Sequence, residues 1–191
     1  MSDPAPSFLF PPREIMLGDG RLSLSAPVRW PTTLAEARAW TDTGAPTGWT
    51  VRLDPRLGAE HHRLTISPAG IELTASDALG VLHALRTLRQ RWTQDAATLP
   101  CLTLSDGPAL PVRGFMLDVS RGKVPTMAEL RRLVEGLHAL RANQLQLYVE
   151  HTFAWPGHED AWGDASPLTA AQIKALDDAC AAVGIELVPN L

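Results

Sequence analysis

The stretch PVRGFMLDVSRGKVPT, Pro111 to Thr126, sets the grammar of the second half of the chain. Its apolar run, Gly114 to Leu117, has Arg113 at its entrance and Asp118 and Arg121 at its exit. Such a run reads as a short buried strand, and TMAELRRLVEGLHAL behind it reads as a helix. Thr126 caps that helix, and Met127, Leu130, Val134, Leu137 and Leu140 form its apolar stripe. NQLQLYVE is then a second strand, TAAQIKALDDACAAVG a second helix capped by Thr169 and closed by Gly184, and IELVP a third strand. The order β-α-β-α-β implies a parallel sheet, either doubly wound or the opening of a (β/α)₈ barrel. DVSRGKVPT contains no G-x-G-x-x-G and no phosphate loop, which favours the barrel.

Working back toward the amino terminus, the pattern changes. PCLTLSD alternates as a strand, and GPALP breaks the chain near 107–111. In SDALGVLHALRTLRQRW, Leu79, Leu82, Leu85, Leu88 and Trp92 recur at helical intervals behind a Ser76 cap. GWTVRLD and HRLTISPAGIELTAS read as three strands, the last two joined around Pro68-Ala69-Gly70 in a hairpin or meander. PTTLAEARAW reads as a helix with Thr33 and Glu36 at capping-box spacing, preceded by a strand over Arg21–Ala26. Pro4, Pro6, Pro11 and Pro12 make the first dozen residues an extended arm. Residues 1–108 are therefore expected to form an α+β domain with helices on one sheet face, and 109–191 the first three strands and two helices of an incomplete (β/α)₈ barrel.

Composition narrows the function classes. The 191 residues carry 45% hydrophobic and 20% charged side chains and a formal charge of −4, with Lys and Arg scattered, so neither a nucleic-acid footprint nor a polybasic membrane patch is expected. No apolar stretch is long enough to span a bilayer, and MSDPAPSFLFPPRE lacks the n- and h-regions of a secretory signal, so a cytoplasmic location is expected. Cys101 and Cys180 are expected as reduced, buried thiols.

Ligands of parallel α/β folds meet the carboxyl ends of the strands. That rule selects Asp118, Ser120, Arg121 and Lys123 after the first strand, Glu150-His151 after the second, and Pro189-Asn190 after the third. EHTFAWPGHED gathers Glu150, His151, His158, Glu159 and Asp160, but its spacing fits no zinc motif. Its aromatics Phe153, Trp155 and Trp162 suit either a sugar face or loop packing.

RGFMLDVSRGKVPT, NQLQLYVEHTFAWPGHE and IELVPN together resemble the start of the catalytic barrel of glycoside hydrolase family 20, the β-N-acetylhexosaminidases. LTISPAGIELTASDALGVLHALRTLRQ resembles the small α+β domain before that barrel. The resemblance implies hydrolysis of terminal β-linked N-acetylhexosamine in which the substrate's own 2-acetamido oxygen attacks the anomeric carbon, with no metal or organic cofactor. It implies an N-acetylhexosamine glycan as partner and matches Arg113 to an arginine that donates to sugar hydroxyls. Glu150-His151 stand where many members carry an Asp-Asp pair, with Glu150 as the hydroxyl acceptor. Asp118 and Arg121 read as a strand-end pair shaping the first loop. The Asp-Glu pair of the family follows a fourth strand and is not among these residues, so the chain by itself is expected to lack catalysis. Three parallel strands with open edges are expected to associate. The alternative is a carbohydrate- or protein-binding module derived from such an enzyme.

Overall fold

The computed structural model describes residues 11–23, 28–95 and 98–190, apart from the side chains of 43 and 92–95. The expected arm therefore falls mostly outside the described residues, as do the last three residues of the expected 21–26 strand. The chain divides into two compact units, Met1–Ala109 and Leu110–Leu191.

In the first unit, strands β1 (Glu14–Ser23), β2 (Trp49–Leu53), β3 (His62–Ser67), β4 (Gly70–Ala75) and β5 (Thr98–Asp106) form one mixed sheet in the order β1-β5-β3-β4-β2. β3 and β4 are the expected hairpin, whereas β2 runs parallel to β4 and so is not part of a meander. β1 begins at Glu14, well ahead of the expected strand, and all but one of its residues are exposed. A strand with no buried face shows no period of two.

Helix α1 (Leu34–Ala39) starts at the Thr33–Glu36 capping box and runs into a π turn, Trp40–Gly44. Helix α2 (Ala78–Asp95) buries Val81, Leu82, Leu85 and Leu88 against Leu64, Ile66, Ile71, Leu73 and Leu104 of the sheet. Trp92, the last member of the expected stripe, lies outside the described side chains. The cap of α2 is Asp77 and not Ser76. Asp77 Oδ1 accepts from Gly80 N at 2.8 Å, Oδ2 accepts from Glu60 N at 2.9 Å, and Ser76 Oγ donates to Oδ2 at 2.8 Å. A carboxylate with two acceptor oxygens serves this crowded corner better than one hydroxyl. Glu60, held in the left-handed region at φ 62°, also places Oε2 3.0 Å from Nε2 of buried His83. Gly70 has φ +143°, and a Cβ there would lie 2.1 Å from Gly48 O, so the chain needs glycine at this turn.

In the second unit, β6 (Gly114–Asp118), β7 (Gln144–Tyr148) and β8 (Glu186–Asn190) form a parallel sheet in sequential order. Helices α3 (Met127–Ala139) and α5 (Ala170–Ala182) connect the strands, and a short helix α4 (Glu159–Trp162), not foreseen from sequence, lies between β7 and α5. Thr126 with Glu129, and Thr169 with Gln172, form capping boxes. Leu130, Val134, Leu137, Leu176 and Cys180 cover Leu145 and Leu147 of β7. Leu140 departs from the expected stripe. It follows the last helical residue, and the chain turns away there, leaving it exposed. The ends of α3 and α5 match. Ile185 N donates to Cys180 O and Gly184 N to Ala181 O after α5, while Ala142 N donates to Leu137 O and Arg141 N to His138 O after α3. Both are Schellman turns, with φ 77° at Gly184 and φ 59° at Arg141.

Cys101 and Cys180 are free and buried, as expected. Burial, then Asp177, raises the Cys180 thiol to about 11. No helix among the described residues is long and apolar enough to cross a membrane.

Candidate functional site

Parallel pairing puts Asp118, Tyr148 and Asn190 in one row at the carboxyl ends of β6, β7 and β8. Side chains alternate across the sheet, so Leu145 and Leu147 face the helices while Gln146, Tyr148 and Glu150 belong to the other face. The chain after β6 turns back on Asp118, whose Oδ1 accepts from Ser120 N at 2.8 Å. Buried Ser120 then joins two strand ends. Its Oγ accepts from Glu150 N at 2.7 Å and donates to Tyr148 O at 3.3 Å.

Above this turn the Arg121 guanidinium lies between two carboxylates. Nη1 is 2.7 Å from Asp118 Oδ2 and Nη2 is 3.3 Å from Glu150 Oε1. Its Cζ sits 5.1 Å from the centroid of the Tyr148 ring, within cation–π range. Tyr148 donates its hydroxyl to Glu150 Oε1 at 2.7 Å. Asp118, then Glu150, hold the guanidinium more firmly protonated than usual. The hydrogen bond to Glu150, together with that carboxylate's charge, raises the Tyr148 phenol. Arg121 is largely exposed and the carboxylates of Asp118 and Glu150 are partly so, so the pairs add little stability. What they form is a solvent-facing cluster with donors and acceptors side by side. His151 is exposed and follows Glu150 directly.

Arg113 lies at the opposite edge of the sheet. Its Nε donates to Arg141 O at 2.7 Å and its Nη1 to Leu110 O at 2.8 Å, while its backbone N donates to Asn143 Oδ1. Four strand steps, about 13 Å at about 3.3 Å each, separate the two ends of β6. The structure therefore brings Glu150, Asp118 and Arg121 together and leaves Arg113 apart from them, bracing the left-handed turn at Arg141. Arg121, read from sequence as a loop-shaping residue, is the arginine at the ligand-side edge. The signal that marks it is its position three residues beyond the strand-final aspartate.

The aromatics of the loop after β7 belong to the other face. Phe153 and Trp155 pack edge to face at 4.5 Å, Trp162 Nε1 donates to Trp155 O, and Leu147, Val149, Ile173 and Leu187 join them around an apolar groove of about 460 Å³. This is loop packing on the helix side of the sheet, away from Tyr148. No group of three or more His, Cys, Asp or Glu among the described residues could hold a metal ion.

Residues 21–107, the mixed sheet and its helices, match the family model for glycosyl hydrolase family 20, domain 2. A beta-hexosaminidase of Akkermansia muciniphila is 31% identical over 158 residues, 72% of this chain and 32% of that protein. Residues 21–107 belong to glycosyl hydrolase family 20. A beta-N-acetylhexosaminidase of Cellulomonas fimi is 28% identical over 80% of the chain and 34% of its own length. The chain thus spans about a third of the length of these relatives. Among solved structures, the family 20 exo-β-N-acetylglucosaminidase of Vibrio harveyi superposes with a TM-score of 0.78 at 16% identity, covering 94% of this chain and 35% of that one. The Streptomyces plicatus N-acetyl-β-hexosaminidase gives a TM-score of 0.72 at 24% identity, covering 94% and 44%. At these identities the superpositions establish the fold.

Proposed function

We propose that this chain is the front portion of a β-N-acetylhexosaminidase-like glycoside hydrolase that removes terminal β-linked N-acetylhexosamine, with residues 110–191 as the opening strands and helices of a (β/α)₈ barrel. The observation that carries the reading is the Asp118–Arg121–Glu150–Tyr148 cluster at the carboxyl edge of a parallel sheet, where barrel folds bind their ligands. In this role Arg121 donates to sugar hydroxyls and Glu150 accepts from one, with His151 beside it. Arg113 serves the site indirectly by bracing the far end of the sheet. The reaction is substrate-assisted and retaining, with the acetamide oxygen as the internal nucleophile. An Asp-Glu pair on a fourth strand end would supply the acid and orient the acetamide, and the described residues hold no such strand end. The chain by itself therefore binds the sugar without turning it over, and its open strand edges favour association with other copies.

The test has two parts. The chain is assayed with a nitrophenyl N-acetyl-β-glucosaminide, and the source reading frame is followed past the codon for Leu191. The reading expects no nitrophenol release and a downstream strand ending in Asp-Glu. Nitrophenol release by the chain would overturn the inactive assignment. A stop codon directly after Leu191 would leave a carbohydrate-binding module in place of the enzyme.

A further inference from the structure

Glu150 lies two residues beyond the end of β7 and is nearly half exposed, a position at which a carboxylate ordinarily samples several rotamers. Here it is held from two sides. Its backbone N is fixed by buried Ser120, and its Oε1 receives both the Tyr148 hydroxyl at 2.7 Å and Arg121 Nη2 at 3.3 Å. The Tyr148 ring also lies against the Arg121 guanidinium. One side chain thus supports both members of the donor–acceptor pair.

We propose that Tyr148 is a positioning residue: its hydroxyl holds the Glu150 carboxylate, and its ring the Arg121 guanidinium, in the arrangement that meets a pair of neighbouring sugar hydroxyls. This inference rests on the sugar-binding reading given above. Binding energy then goes to the ligand without first ordering two exposed side chains, which is the benefit of preorganisation. Ser120 fixes the backbone of Glu150 just past β7, and Tyr148 fixes where its charge points.

The experiment uses the fact that Tyr148 is the only tyrosine among the 191 residues, so an ultraviolet absorbance titration of the chain reads it alone. The raised phenol falls back toward about 10 in Glu150→Gln, which removes the negative charge beside it. A titration midpoint that E150Q leaves unmoved overturns the inference. Binding of free N-acetylglucosamine is followed in parallel. Tyr148→Phe keeps the ring and removes the hydroxyl, and it weakens binding about 2- to 10-fold, the effect of one net hydrogen bond. Circular dichroism should stay that of the wild type. E150Q and the double variant bind equally weakly, because the hydroxyl then has no carboxylate to place. Wild-type affinity in Y148F, with binding lost in E150Q, overturns the role of Tyr148 and leaves the sugar site standing. Absence of binding by the wild type, with the tyrosine still shifted by E150Q, overturns the sugar-binding reading and the positioning role with it.

Discussion

Asp77 shows how much one side chain can carry where two segments meet. Burial alone would raise its carboxyl, but hydrogen bonds from Glu60 N, Gly80 N and Ser76 Oγ outweigh this and hold it below the usual aspartate value. A depressed folded-state value means that the stabilisation is complete above about pH 4 and is lost as the pH falls through the folded value. Thermal unfolding between pH 6 and pH 2 should show this loss in the wild type and a flatter acid limb in Asp77→Asn. Asp77→Ala should cost about 1 kcal/mol at neutral pH, as removal of a helix cap does. The cap was only partly legible in sequence. Ser76 and Asp77 are both good cap residues, and what decides between them is Glu60 N, seventeen positions away. The same limit applied to the two arginines. Both flank β6, and only the turn made by Asp118 and Ser120 shows that Arg121 comes back over the strand ends while Arg113 is taken up by the carbonyls of Arg141 and Leu110.

At the level of elements, local chemistry was read with success wherever it is local. Thr33, Thr126 and Thr169 each stand three residues before a Glu or Gln, and each begins a helix with a reciprocal capping box. Thr126→Ala should therefore destabilise the second unit by about 1 kcal/mol, read as a lowered denaturation midpoint with unchanged m-value. An unchanged midpoint would mean that α3 is held by Leu130, Val134 and Leu137 alone. What could not be read was the pairing of β1 and β2. The parallel docking of β2 on β4 and the place of β1 beside β5 are long-range choices that period-2 patterns do not encode. The short helix α4 was missed because four residues, EDAW, carry less than two turns of periodicity.

For the whole molecule, the sequence change near Pro111 corresponds to a real change of architecture, from a mixed sheet to a parallel one. Among the described residues the parallel sheet has three strands, and β6 stands at one of its edges. The consequence is an exposed surface. Phe115 and Met116 of β6 are 42% and 55% exposed, and Leu110 and Val112 before it are exposed as well. Exposed apolar strands with open edges favour intermolecular pairing. Sedimentation analysis should thus show association that rises with concentration, and a strictly monomeric chain at high concentration would contradict this. The central claim, that the carboxyl edge of β6 and β7 is a sugar site, is tested most directly by titrating the isotope-labelled chain with N-acetylglucosamine and following its backbone and tyrosine resonances. The account predicts saturable shifts at Ser120, Arg121, Tyr148 and Glu150 with Arg113 and Arg141 unmoved; shifts confined to the Arg113 edge, or none that saturate, would contradict it.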